Sequence, residues 1–136
     1  MIYMNGYTTN IEQATLSNTS FRKVLYTAKH TQLVLMCLQP KEEIGMEAHP
    51  DNDQFFRFEK GQGLCVIDGH EYPLKDGTCI IIPAGAQHNI VNTSETETLH
   101  MYTLYSPPHH KDGIERKTKA EAVAKEQEFD GQTSES

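Results

Sequence analysis

A series of short β-rich runs, with almost no helical periodicity before the C-terminal end, limits what this chain can fold into. The runs are FRKVLYT (21–27), TQLVLMCLQ (31–39), FFRFEKG (55–61), GLCVIDGHEYPL (63–74), GTCIIIP (77–83), HNIVNT (88–93) and TLHMYTLYS (98–106). Turn formers separate or interrupt them: Gly61 and Gly63 around Gln62, Asp68-Gly69, and Asp76-Gly77. Asp68-Gly69 is a strong signal for a two-residue hairpin. Many short strands at even spacing predict an all-β antiparallel sandwich or barrel.

Alternation within the runs assigns faces. In the last one, Leu99, Met101, Thr103 and Tyr105 point one way, and His100, Tyr102, Leu104 and Ser106 the other. Ile80, Ile81 and Ile82 read as a strand covered on both sides. After SPPHH the composition changes. Thr118, Lys119, Ala120 and Glu121 form a capping box, and KAEAVAKEQEF predicts a short C-terminal helix, loosely docked, with Ala122, Val123 and Phe129 as its candidates for burial. The final GQTSES is expected to be disordered. The expected organisation is a β-barrel over residues 1–110, then a helix and flexible tail over 111–136.

With 136 residues the chain has room for one domain and a core that needs no staples. Its net charge of −7, without clustered Lys or Arg, argues against a nucleic-acid surface. Cys37, Cys65 and Cys79 each lie in an apolar run and read as buried free thiols, because their odd number and spacing suit no disulfide framework. No apolar stretch approaches the roughly 20 residues that span a bilayer, and MIYMNGYTTNIEQ has no signal-peptide pattern. No membrane partner and a cytoplasmic location are therefore expected.

The chemistry concentrates in two segments. In IGMEAHPDNDQFF, Glu47 and His49 are two apart and can share a target on one strand face; a turn over Pro50–Asp53 can bring Gln54 back beside them. In GTCIIIPAGAQHNIVN, Pro83 ends a strand, Gly85 permits a sharp turn and His88 opens the next strand, with Asn92 bonding across strands. Two imidazoles, a carboxylate and an amide oxygen suit a divalent first-row metal with open positions.

These segments resemble the cupin motifs. The spacing Gly77-x5-Pro83-x-Gly85-x2-His88-x3-Asn92 matches the second motif at each fixed position. The first motif is matched with changes: Glu47 takes the place of its first histidine, His49 matches the second, Gln54 takes the place of its glutamate, and Gly61 matches its glycine. EIGMEAHPDNDQFF and YSPP (105–108) also resemble a subgroup of small single-domain cupins. The resemblance implies a double-stranded β-helix, or jelly roll, with one divalent metal (Fe, Mn, Zn or Ni) in the barrel mouth held by Glu47, His49, Gln54 and His88, and it implies a homodimer. The two substitutions exchange a charge between positions and keep oxygen ligands, which favours a working site. Gln54 has a second reading, as the group that orients His49.

Other residues are weighed beside these. His100 and Tyr102 are candidate acid, base or substrate contacts at the mouth. Arg57 reads as a surface partner of Glu59 before an anion anchor, and His109 and His110 read as a solvated tail. Asp51, Asn52 and Asp53 lack the glycine and distant glutamate of a calcium loop. The function expected is a metalloenzyme on a small oxygenated or sugar-like substrate, with dioxygenase or isomerase chemistry. The alternatives are a non-catalytic sugar or acid binder and a dimeric structural protein with a vestigial site.

Overall fold

The computed structural model describes residues 3–136. In chain order, its elements are α1 (Ile11–Ser17), β1 (Arg22–Thr27), β2 (Gln32–Leu38), β3 (Asp53–Lys60), β4 (Gln62–Ile67), β5 (His70–Lys75), β6 (Cys79–Ile82), β7 (His88–Asn92), β8 (Leu99–Ser106), β9 (Glu115–Arg116) and α2 (Lys119–Ala124). A six-stranded sheet in the order β6-β3-β8-β2-β1-β9 faces a three-stranded sheet in the order β5-β4-β7, and all pairings are antiparallel. This is the all-β jelly-roll architecture with a short C-terminal helix that the runs and motifs predict.

Local chemistry explains the strand ends. Asp68 (φ 44°) and Gly69 (φ 85°) join β4 to β5 where Ile67 pairs with His70, the left-handed pair that a two-residue hairpin requires. Phe56 and Phe58 of β3, Met36 and Leu38 of β2, and Leu99 and Met101 of β8 form the larger sheet's inner face; they share one core with Cys65, Leu74 and Ile90 of the smaller sheet. In β8, Leu99, Met101, Thr103 and Tyr105 are all buried, as the alternation predicts. Asn92 spreads its amide over the carbonyls of Leu38, Gln39 and Glu97 at 2.8 to 3.2 Å and tethers β7 to the chain around β2 and β8.

Several expectations are corrected. Ile81 is 68% exposed because β6 is an edge strand; the strand covered on both sides is β2, where Leu35 and Cys37 are buried as well. Cys79 is exposed for the same reason, whereas burial pushes the Cys37 and Cys65 thiols up to about 11. Helix α1 has no counterpart in the sequence reading. Its two turns are too short to display a period, and Asn10 caps it by accepting a bond from the Gln13 amide at 3.0 Å.

The chain beyond residue 110 is tied into the barrel. β9 pairs with β1, and Ile114 and Ala122 belong to the core, while Val123 is exposed. Thr118 caps α2 as predicted, accepting from the Glu121 amide. The tail is ordered against β1. The Ser134 amide donates to the Thr27 carbonyl at 2.8 Å, and the Glu135 carboxylate accepts from the Tyr26 hydroxyl and from the amides of Asn5 and Gly6. The polar composition that suggests disorder supplies this hydrogen bonding.

Candidate metal centre

Backbone pairing brings the two motifs together. Glu47 and His88 form an antiparallel bridge, with amide-to-carbonyl distances of 2.9 and 2.8 Å. Gly85, at φ 88°, turns the chain before β7 so that its amide reaches the His49 carbonyl at 2.9 Å. Gln54 lies on β3 between Ile82 of β6 and Tyr105 of β8. Short bonds hold the intervening loop: the Ala84 amide donates to Asp53, and the Asn52 side chain donates to the Pro107 carbonyl.

The side chains of Glu47, His49 and His88 converge, with their ligand atoms within 4.8 Å of one another. His49 Nε2 lies 3.2 Å from Glu47 Oε1, and His88 Nε2 lies 3.6 Å from it. The His88 Nδ1 sits 3.0 Å from the Ala86 carbonyl. That carbonyl can only accept, so Nδ1 carries the proton and Nε2 turns its lone pair to the cluster.

Buried polar atoms normally find partners, so those that do not are informative. Among the described residues, the buried side-chain atoms without a hydrogen-bond partner are His49 Nε2, His88 Nε2, Gln54 Oε1 and Arg22 Nε. Three of the four belong to residues of the two motifs. Unpartnered nitrogens of two imidazoles and an unpartnered amide oxygen, next to a carboxylate, are a donor set that a divalent cation satisfies. The residues present therefore fit such an ion. Gln54 also donates from Nε2 to Thr103 Oγ1 at 3.0 Å, which leaves Oε1 as its open atom.

Electrostatics agrees with the geometry. Burial pushes the Glu47 carboxyl up, but the His49 and His88 imidazoles outweigh it and hold the group well below the usual carboxylate range. Burial alone would lower His88, but the facing Glu47 carboxylate and the bond to the Ala86 carbonyl reverse the sign, leaving it raised.

His100 and Tyr102 are not part of this cluster. They lie on the outer face of β8, opposite Thr103 and Tyr105. His100 is buried beneath α1, with Nδ1 3.3 Å from the Thr15 carbonyl and Nε2 2.8 Å from Thr98 Oγ1. Tyr102 stands beside Phe55 and across the strand pair from Arg57. Arg57 itself pairs with Glu59 at 2.6 Å, as the sequence suggests.

His109 and His110 take the place expected of His100 and Tyr102, and they are not a solvated tail. The chain after β8 turns back through Pro107 and Pro108, and His110 is 5% exposed. Gln32 clamps this turn: its Oε1 accepts from the His109 and His110 amides and its Nε2 donates to the His110 carbonyl. The His109 ring lies 4.3 Å from that of His49, and the His110 Nε2 lies 3.3 Å from the Tyr105 hydroxyl. A paired proline directly after a strand whose inner residues line the barrel was the available signal for this reversal. The cleft has a volume of about 470 Å³, and Arg22, Glu47, His49, Tyr105, His109 and His110 line it together with α2.

The comparisons with known proteins agree with the architecture. Residues 34–105 match the cupin domain family, Cupin_2. The chain is 46% identical over 110 residues to uncharacterized protein L612 of Acanthamoeba polyphaga mimivirus, covering 79% of this chain and 69% of that protein. It is 42% identical over 126 residues to uncharacterized protein YrkC of Bacillus subtilis, covering 88% of this chain and 67% of that protein. The crystal structure of BH2720 from Bacillus halodurans is 39% identical, with a TM-score of 0.86, covering 89% of this chain and 96% of that one. No helix among the described residues is long and apolar enough to cross a membrane. With more than half of its length matched to the family and its two motifs meeting at one cluster, the chain belongs to the cupin domain family.

Proposed function

We propose that the protein is a metalloenzyme that acts on a small oxygenated organic molecule in the barrel mouth, with Glu47, His49 and His88 holding one divalent ion and Gln54 offering Oε1 to it. The observation that carries this reading is the set of buried, unpartnered atoms: His49 Nε2, His88 Nε2 and Gln54 Oε1. A bound divalent ion would supply Lewis-acid polarisation of a substrate oxygen, or, if it is iron, redox chemistry with O₂.

The chain's own residues prepare the site. Glu47 stays ionised because two imidazoles face it. His88 is fixed in one tautomer by the Ala86 carbonyl. Burial pushes the Tyr105 phenol up, so it keeps its proton, and its hydroxyl is hydrogen-bonded to His110 Nε2, whose imidazole burial holds neutral. His109 borders the cleft, and burial together with His49 lowers its pKa. A neutral imidazole beside the site is the group available to accept a substrate proton, the step that an isomerisation through an enediol requires. Dioxygenase-type chemistry uses the same ligands, and the metal's identity separates the two.

The reading includes a homodimer, for which the apolar exposure of Ile81 on the edge strand β6 is the support, and a reducing compartment, for which the free thiols of Cys37, Cys65 and Cys79 are. A binding module without catalysis would need complementary lining but no proton acceptor.

Metal analysis of protein purified without chelator is the primary test. About one divalent ion per chain is expected, and His88→Ala is expected to lose it; equal metal content in the two proteins would overturn the assignment. Oxygen uptake by the iron-loaded protein over diketones and flavonols, set against oxygen-independent turnover of sugar phosphates, then separates the two reaction classes.

A further inference from the structure

The fourth buried atom without a partner, Arg22 Nε, is not explained by a metal, because a guanidinium cannot ligate one. Arg57 is satisfied by Glu59, and Arg116 by the Lys125 carbonyl and the Gln127 side chain. Arg22 differs from both. Among the described residues no carboxylate lies within ion-pair distance of it, although the chain carries 19 acidic residues and a net charge of −7. Its guanidinium lies 5.3 Å from the Phe21 ring centroid, a contact that engages the ring face and leaves the Nε–H unbonded. The residue directly across the strand pair is Arg116, a like charge.

Arg22 lines the same cleft as Glu47, His49, Tyr105, His109 and His110. Its charge is felt there, since it contributes to lowering His109 and His110. Glu47 faces two imidazoles, the cleft's other carboxylates, Glu126 and Glu128, lie beyond ion-pair distance of Arg22, and Tyr105 and His110 are hydrogen-bonded to each other. A buried cationic N–H with no acceptor in a small-molecule-sized cleft is arranged for an acceptor that arrives with the ligand. The guanidinium edge that includes Nε–H matches two oxygens of a planar or tetrahedral oxyanion.

We propose that Arg22 seats an oxyanion group of the substrate, a carboxylate or a phosphate, while the rest of the molecule extends toward Glu47, His49 and His88. This rests on the metalloenzyme reading for the substrate's second contact, and the anion seat itself can be measured without it. The substrate class becomes a small oxygenated acid or phosphate ester.

The test is calorimetric titration of the full chain, zinc-loaded and metal-stripped, with pyruvate, glycolate and inorganic phosphate, using wild type, Arg22→Met and Arg22→Lys. Wild type is expected to bind at least one of the three, and the responding arm shows whether the group is a carboxylate or a phosphate. Arg22→Met should weaken that binding about ten- to a hundredfold at unchanged metal content, with Arg22→Lys intermediate because it keeps the charge and loses the fork. Equal affinity in Arg22→Met, or no binding of any probe by zinc-loaded wild type, overturns the proposal. Should Arg22→Met fail to fold, the wild-type arginine Nε–Hε resonance decides: it shifts on titration if Arg22 is the seat and stays put if it is not. His88→Ala keeps the two readings apart. Undiminished metal in that variant sinks the metal centre alone, whereas loss of the Arg22 effect in metal-stripped protein sinks the anion seat alone.

Discussion

His109 lies over His49 with ring centroids 4.3 Å apart and planes tilted by 58°, although 60 positions separate them in the chain. The contact walls one side of the Glu47–His49–His88 cluster with an imidazole that is not part of the converging set. His109→Ala is therefore expected to retain metal at the wild-type level, while turnover of any substrate that needs a proton acceptor falls by about 10²- to 10⁴-fold. Metal content measured beside steady-state rates checks this; loss of metal would place His109 among the ligands.

Gln54 contributes opposite terms to stability and to metal binding. Its Oε1 is buried without a partner, which costs about 1–3 kcal/mol, while its Nε2 bonds Thr103. In Gln54→Leu these effects offset, so the metal-stripped protein should change by no more than about 1 kcal/mol in urea denaturation. Metal affinity should fall at least about tenfold whether the amide oxygen ligates or orients a ligand. Unchanged affinity in a chelator competition would remove Gln54 from the site.

Asn92 is fully buried, with its amide shared by three carbonyls and its Oδ1 accepting from the Ser94 amide at 3.0 Å. Asn92→Ala strands several buried backbone groups at once, and a loss of about 3 kcal/mol is expected from the unfolding midpoint. A loss under about 1 kcal/mol would mean that water replaces the side chain.

His110 makes the metal-stripped protein sensitive to acid. Burial, with help from Arg22, holds its folded pKa well below the ordinary value. Below about pH 6.5 the unfolded chain takes up a proton at this position that the folded chain refuses. Stability is thus complete above about pH 7 and declines as pH falls toward the folded pKa, with a slope approaching about 1.4 kcal/mol per pH unit from this group. The lowered values of His100 and His109 act in the same direction. His110→Asn should give a shallower decline in denaturant titrations across that range, and an unchanged slope would assign the acid sensitivity to other groups.

Much of the architecture was legible in the residues because strand chemistry is local. Alternation in 99–106, the Asp68-Gly69 turn and the Gly77–Asn92 spacing each follow from backbone sterics over a few residues, and each is found where it was read. Helix α1 was not legible, since two turns with a single buried residue produce no period. The ordered tail was missed because Ser134 and Glu135 look like solvent-facing residues until Thr27 and Tyr26 are brought beside them.

Residue identity and spacing alone determined which groups could bind a cation: Glu47, His49 and His88 carry the right atoms, and two motifs bracket them. Tertiary structure decided which other side chains share their cleft. Period-two alternation placed His100 and Tyr102 together on one face but could not say that this is the outer face, where α1 covers His100. The reversal after Pro107 and Pro108 brought His109 and His110 inward, and the pairing of β1 with β2 set Arg22 beside the cleft. The physical reason is range: sterics and hydrogen bonding within a strand act between neighbours, whereas burial and electrostatic company depend on segments that only the closed barrel brings together.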